Sequence, residues 1–474
     1  MNMLWNFRQY GDREALIDDT GASIRYNKLE ELQRKLAEID PGQLTMMICK
    51  NSLGALSGYA ALLNCGHPML LVSTATPEDM RRQIMNTYRP RLIYAPRDLH
   101  SEYAHMQEIQ LIDDYMLLRT NFAELFPVHS DLGLMLSTSG STGSVRFVRQ
   151  SWCNIRFNAQ AHADYLQITD QDRTITALPM SYTYGLSIIN ANLWKGATLV
   201  VTSQGIMDKE FWDLFVDEHI TAFHGVPGTY DMLYRLEFFS EDFPDLRLMT
   251  QAGGKLSLEL QRYFAQYAKE YGKRFIIMYG QCEATAAISY LPADKALLKP
   301  GSVGIAIPGG EIELQDEKGN PVQKASVPGE LIYRGKNVTL GYAVRGEDLI
   351  RGDDWHGILR TGDIAEKDED GFLYITGRMK RIIKMAGHRI SLDEMDERIF
   401  NDLHIRCVST GEDDHPVIFV LNENDQAAVL EYVRLRISLI RSAVKVCRID
   451  AFPTNEAGKI LFGELQKMAA KQIV

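Results

Sequence analysis

LGLMLS (Leu132–Ser137) runs directly into Thr138-Ser139-Gly140-Ser141-Thr142-Gly143-Ser144-Val145-Arg146. The first stretch reads as a buried strand. Every residue from Thr138 to Ser144 is then glycine, serine or threonine. In such a loop the backbone N–H groups can approach an anion closely and the hydroxyls add further donors. Arg146 closes the run with a positive charge. Polyphosphate is the ligand that this combination suits. No Gly-Lys-Ser/Thr follows at Walker A spacing, and the glycines do not form a dinucleotide fingerprint. A flexible linker is the alternative, although linkers rarely follow a buried strand directly and end on arginine.

Outward from this loop, short apolar runs alternate with helical patterns. RLIYA (Arg91–Ala95), ATLVVT (Ala197–Thr202) and RFIIMYG (Arg274–Gly280) read as further buried strands. DKEFWDLFVDEHI (Asp208–Ile220) places Phe211, Leu214, Phe215 and Ile220 on one helical face. The predicted class is α/β, in layers. Near Lys299 the texture changes. Residues 300–376 alternate apolar and polar positions and turn at Lys318-Gly319-Asn320-Pro321, which predicts a barrel-like or meander sheet. After Gly377, strands and helices alternate in a small α+β unit of about a hundred residues. The expected organisation is a large N-terminal domain over 1–377, a junction at 378–380 and a small domain over 381–474.

The 474 residues are enough for two to four domains at roughly 100–200 residues each. Lys plus Arg is 51 against Asp plus Glu 62, a net charge of −11, so the chain lacks the basic footprint that nucleic acid requires. Six cysteines stand singly with no CxxC pair and read as thiols of a reducing compartment. MNMLWNFRQYGDREAL (Met1–Leu16) has no basic n-region ahead of an apolar core, which predicts no secretory signal. The most apolar stretch, Leu56–Val72, is broken by Asn64, Cys65, Gly66, His67 and Pro68 and is not expected to span a bilayer. A cytoplasmic protein is expected.

Further motifs come after the loop in a fixed order. Ala252-Gly253-Gly254-Lys255 precedes Tyr279-Gly280-Gln281-Cys282-Glu283 at the end of an apolar strand. Arg360-Thr361-Gly362-Asp363, Gly377-Arg378-Met379-Lys380, Ile383–Ser391 and Pro453-Thr454-Asn455-Glu456-Ala457-Gly458-Lys459-Ile460 lie beyond it. Each is weak alone: Glu283 could be a surface turn residue, Asp-Gly turns are common, and a Gly-Lys near a C-terminus is usually solvated. Together, from about Leu132 to Leu465, they resemble the acyl-adenylate-forming superfamily. That group comprises acyl- and aryl-CoA synthetases, adenylation domains of nonribosomal peptide synthetases, and firefly luciferase.

The resemblance implies a large domain of stacked αβα layers with a β-barrel subdomain and a small mobile α+β lid. It implies ATP, Mg²⁺ and CoA, or the phosphopantetheine of a carrier protein. Thr138, Ser139, Gly140, Ser141, Thr142, Gly143 and Arg146 would hold phosphate. Gly253 and Gly254 would line adenine and the acyl pocket through their backbone, Tyr279 would pack on the adenine ring, and Gly280 and Gln281 would belong to the nucleotide site. Glu283 would bind the metal, since Mg²⁺ prefers one or two carboxylates plus phosphate oxygens. Asp363 would accept both ribose hydroxyls and Arg378 would contact ribose or phosphate. Lys380 would be the hinge, Gly387 would line the pantetheine tunnel, and Lys459 would bridge the attacking carboxylate and the α-phosphate. Thr142, Glu283 and Lys459 are the expected catalytic set. Two departures stand out. Cys282 replaces the common threonine, and Val145-Arg146-Phe147 replaces Pro-Lys-Gly.

For the acid, Pro179–Leu186 resembles the acyl-CoA synthetase version of the binding segment. It has no carboxylate to pair an α-ammonium, so an acid without an α-amine is expected, aliphatic or aryl. Tyr182, Gly185, Gly253 and His224 are the expected pocket residues, with a structural role equally open for His224. Arg389 and Lys384 are candidates to grip CoA, although each also suits a solvated face. The acceptor thiol is CoA or, alternatively, a separate carrier protein. A non-catalytic nucleotide sensor is the remote third reading.

Overall fold

The computed structural model describes residues 3–138, 146–237, 243–385, 388–413, 415–436, 444–454 and 460–473. The chain divides into two compact units, one built from Met1–Thr138, Ser144–Glu311 and Tyr333–Leu359, the other from Ile312–Ile332 and Arg360–Val474.

The first unit is an α/β stack. Strands Thr45–Cys49, Met69–Ser73, Leu92–Pro96 and Leu132–Thr138 pair in parallel. Antiparallel strands Arg146–Ser151 and Tyr342–Ala343 extend one edge of this sheet, and Tyr115–Arg119 and Gln107–Ile112 the other. In a second sheet Arg274–Gln281, Leu248–Gln251, Ala222–Gly225, Arg173–Ile175, Thr198–Val201 and Glu14–Asp18 run parallel in that order. Parallel strands covered on both faces need apolar side chains in both directions, which is why they read as unbroken hydrophobic runs.

Helices lie between the two sheets. Leu53–Asn64 is apolar on every side and therefore needs cover on every side; each of its residues is buried. Its core joins Leu16, Leu199 and Val201 of one sheet to Met47, Leu71, Leu134 and Leu136 of the other. Ser52 caps the helix by accepting a hydrogen bond from the Ala55 N–H. The Leu56–Val72 stretch thus resolves into this helix and strand Met69–Ser73. Among the described residues no helix is long and apolar enough to cross a membrane. None of the six cysteines is in a disulfide.

In the second unit, strands Glu311–Gln315, Gly329–Arg334, Ile358–Lys367 and Leu373–Arg378 form a four-stranded sheet in that order, the form taken by the expected barrel-like or meander segment. Strands Cys407–Glu412, His415–Val420 and Lys445–Arg448 form a three-stranded sheet packed with helices Leu392–Leu403, Glu423–Arg436 and Phe462–Ile473. The division between the units falls at Leu359/Arg360, ahead of Gly377. Strands Ile358–Lys367 and Leu373–Arg378 pair with each other, and Leu373–Arg378 packs against helix Leu392–Leu403, which ties both strands to the C-terminal residues.

Candidate active site

Six parallel strands of the second sheet finish on one edge, the place where open α/β sheets bind ligands. Tyr182 follows Arg173–Ile175 on that edge, Val226 follows Ala222–Gly225, Gly253 follows Leu248–Gln251, and Glu283 follows Arg274–Gln281. These four chain segments are far apart in sequence, and the topology delivers them together.

Gly253 has φ +87°, and a methyl group there would stand 2.5 Å from the Tyr182 hydroxyl and 3.2 Å from Val226 Cγ1. Glycine therefore meets two demands at once, the backbone conformation and the space beside Tyr182. Gln251 Nε2 donates to the Gly254 carbonyl at 2.9 Å and fixes the turn. Gly185 lies against the Pro179 carbonyl, 2.5 Å from where a Cβ would be. Burial, then the neighbouring Cys282, push the Tyr182 phenol up to about 12, so it is a neutral donor.

Deeper in, Thr250 joins two aromatic side chains. Its hydroxyl lies 2.5 Å from the Tyr184 hydroxyl and 2.6 Å from His224 Nδ1. His224 is buried, and burial pulls its imidazole down to about 3, so it is neutral. His162 is likewise buried and held down to about 4, with Ser187 at 3.3 Å from its Nε2. These side chains near Tyr182 are thus polar and uncharged.

The other half of the site is charged. Thr138 ends its strand and Arg146 begins the next, and the two are paired in the antiparallel register. Residues 139–145, with the predicted phosphate donors Ser139, Gly140, Ser141, Thr142 and Gly143, lie outside the described residues. The Arg146 guanidinium sits 3.9 Å from the centroid of the Tyr342 ring. The Tyr342 hydroxyl donates to Glu283 Oε1 at 2.7 Å. Arg146 and Glu283, predicted to share a site, are therefore brought together through one tyrosine.

The Glu283 turn is over-determined. A Cβ on Gly280 would lie 1.6 Å from the Ala286 carbonyl oxygen, so only glycine fits. Thr285 and Ala286 take φ +50° and +102°, conformations that persist only where neighbours enforce them. Buried Asn337 enforces them, donating to the carbonyls of Ala284 at 2.7 Å and Ala287 at 2.8 Å. The Thr339 N–H donates to the Glu283 carbonyl at 3.0 Å. The Cys282 thiol lies against the Thr183 hydroxyl, a partner on the first turn of helix Thr183–Lys195. Tyr279 and Gln281 close the strand that leads into this turn.

Glu283 is half-buried and, among the described residues, has no basic partner within ion-pair distance. No group of three or more His, Cys, Asp or Glu that could hold a metal occurs among the described residues. A lone carboxylate such as Glu283 fits Mg²⁺, which prefers one or two carboxylates and takes its remaining ligands from phosphate and water.

In the second unit, Asp363 and Arg378 face each other across Ile358–Lys367 and Leu373–Arg378, with Arg378 Nε 3.1 Å from Asp363 Oδ1. Asp363 is buried and Arg378 largely exposed. Lys380 lies in the next short turn, Met379–Arg381. Gly387 and Lys459 lie outside the described residues, as do the side chains of Lys380, Lys384 and Arg389. Sequence reasoning missed Tyr342, Asn337, Thr183, Tyr184 and Thr250. Each acts through a partner distant in sequence and none carries a charge that would single it out.

The profile of the AMP-binding enzyme family matches residues 4–343. Oxalate–CoA ligase from Saccharomyces cerevisiae is 26% identical over 384 residues, covering 78% of this chain and 68% of that protein. A 2-succinylbenzoate–CoA ligase from Bacillus cereus is 25% identical over 440 residues, 90% of this chain and 89% of the relative. Among solved structures, ATP-bound MatB from Rhodopseudomonas palustris superposes with a TM-score of 0.81 at 22% identity, covering 100% of both chains.

Proposed function

Because the chain belongs to the AMP-binding enzyme family, we propose that it is an ATP-dependent acid–thiol ligase acting on a carboxylic acid without an α-amine. One observation carries the reading: a cationic loop end and an open carboxylate, Arg146 and Glu283, are held on either side of Tyr342 at the carboxyl edge of a parallel sheet. That edge offers opposite charges to a triphosphate and its cation. The adjoining acid side is neutral, with Tyr182, Tyr184, Thr250 and an uncharged His224. Burying an ammonium there without a counter-charge would be costly, which disfavours amino acids.

In the first half-reaction a carboxylate oxygen attacks the α-phosphorus of ATP, the bond to the bridging oxygen breaks, and pyrophosphate leaves with acyl-AMP formed. Backbone N–H groups of 139–143 and Arg146 orient the phosphates, and Lys459 bridges the two reacting anions. Mg²⁺, held by Glu283, would supply charge neutralisation on the phosphate oxygens. In the second half-reaction a thiol sulfur attacks the acyl carbon, AMP leaves, and the thiol proton passes to solvent. The thiol is that of CoA, in keeping with the named activities of the relatives. A cytoplasmic location is in keeping with ATP and CoA as substrates.

One cleft serving two reactions needs a moving part. We assign it to 381–474, hinged at 378–380. Two apolar clusters support this, because both draw only on that segment: Ile383, Met395, Ile399, Ile418 and Val433 in one, Val408, Val417, Phe419 and Leu465 in the other.

ATP–pyrophosphate exchange against a panel of carboxylic acids tests the proposal, followed by transfer to free CoA and to a holo-carrier protein. Exchange is expected with one class of acid and transfer with CoA. Lys459→Ala is expected to lose most exchange yet still consume preformed acyl-AMP with CoA. Exchange at the wild-type rate in that variant overturns the role of Lys459, and no exchange with any acid overturns the ligase.

A further inference from the structure

A guanidinium and a carboxylate at the mouth of one phosphate site attract each other. If they met, each would cancel the charge the other is meant to offer. Among the described residues no ion pair joins Arg146 to Glu283, and Tyr342 stands where that pair would form. Its ring face receives the guanidinium, 3.9 Å from the centroid. Its hydroxyl, at the far end of the same ring, donates to Glu283 Oε1 at 2.7 Å.

The tyrosine is itself held. Tyr342 pairs with Val148 on the edge of the first sheet, and the Trp355 ring packs edge-on against it at 5.1 Å. Fully buried Arg149 clamps the same segment. Its guanidinium donates to the carbonyl of Tyr342 at 3.2 Å, to that of Leu340 at 2.8 Å, and to Asp354 Oδ2 at 2.6 Å. A cation–π contact and a neutral hydrogen bond are both weaker than a direct ion pair with hydrogen bonds, so an arriving ligand can displace them.

We propose that Tyr342 is a positioning residue that keeps Arg146 and Glu283 apart before substrate arrives, leaving the first open to a polyphosphate and the second to a divalent cation. The proposal rests on the reading of Arg146 and Glu283 as nucleotide and metal groups and adds what keeps them available. Phenylalanine at 342 keeps the ring that takes the cation and loses the donor. Alanine removes both and lets the two charges meet.

Calorimetric titration of the intact protein with ATP, once with EDTA and once with Mg²⁺, tests this. Tyr342→Ala is expected to weaken metal-free ATP binding about fivefold, because Arg146 becomes engaged by Glu283. Tyr342→Phe is expected to weaken it less than twofold. The deciding arm is Tyr342→Ala combined with Glu283→Gln. With no carboxylate to capture Arg146, metal-free ATP binding should return to within about twofold of wild type. General structural damage would not be repaired by a second substitution, so a double variant no tighter than Tyr342→Ala overturns the proposal, as does unchanged ATP binding in Tyr342→Ala. Glu283→Gln alone separates the two ideas. If it leaves the Mg²⁺ dependence of ATP binding intact, the metal role of Glu283 fails while the rescue still reports on the spacer.

Discussion

His162 and His224 give the first unit a stability that acid should remove. Both are buried, and burial holds them down to about 4 and about 3. An unfolded chain protonates each near the ordinary value of about 6.5. Below that pH the unfolded state therefore binds more protons than the folded one, and stability falls as pH falls. A pH of 5 lies about 1.5 below the unfolded value and above both folded ones, which costs about 2 kcal/mol per histidine relative to pH 7. Together they should remove about 4 kcal/mol, a large part of an ordinary domain's stability. Asp396, pushed by burial up to about 6 in the second unit, titrates in the same window with the opposite sign. The comparison must therefore be made by subtraction. Urea unfolding at pH 7 and pH 5, for wild type and for His162→Gln with His224→Gln, cancels Asp396 and every other shared group. The double variant should be less stable at pH 7 and should lose about 4 kcal/mol less on acidification. If the two proteins lose stability in parallel, the histidines are not held neutral and the uncharged acid side of the site goes with them.

Two further substitutions probe the site. Gly253→Ala combines a left-handed backbone, at a cost of about 1–2 kcal/mol, with a methyl group 2.5 Å from the Tyr182 hydroxyl. It should raise KM for the larger acids more than for the smallest one accepted, and equal effects across the panel in pyrophosphate exchange would place Gly253 outside the acid pocket. Asn337→Ala orphans the buried carbonyls of Ala284 and Ala287 and should cost about 2–4 kcal/mol, lowering the thermal midpoint. Because Asn337 holds the turn that carries Glu283, the Mg²⁺ concentration needed for half-maximal exchange should rise as well. A loss of stability without that rise would separate the turn from the metal site.

The parallel strands were legible because nothing else explains apolar runs of their length followed by small or charged residues. LGLMLS became Leu132–Thr138 and RFIIMYG became Arg274–Gln281, each ending where the sequence changes character. That Gly253 and Glu283 follow strand ends was legible too, since each comes directly after an apolar run. Tyr342 was not. It sits 59 residues from Glu283, in a two-residue edge strand whose neighbours Leu340 and Ala343 read as ordinary core. Nothing local marks a tyrosine whose partners are brought to it by two separate sheets. The same holds for Asp363 and Arg378. Each was identified by its motif, but their mutual pairing depends on the register of two strands, which the motifs do not specify.

That pairing bears on the order of events. Asp363 is buried and already paired with Arg378, so any hydroxyl that binds it must share or displace the guanidinium. Glu283 is satisfied by a neutral hydroxyl, a weaker hold. Of the two carboxylates expected to meet the nucleotide, Glu283 is therefore the easier to recruit. Phosphate and metal contacts should accordingly form with less rearrangement than the ribose contact. An exchange-inactive nucleotide lacking the ribose 2′-hydroxyl tests this: its affinity should fall by less than that of a nucleotide lacking the γ-phosphate. The reverse ranking would mean that the Asp363–Arg378 pair opens more readily than its burial implies.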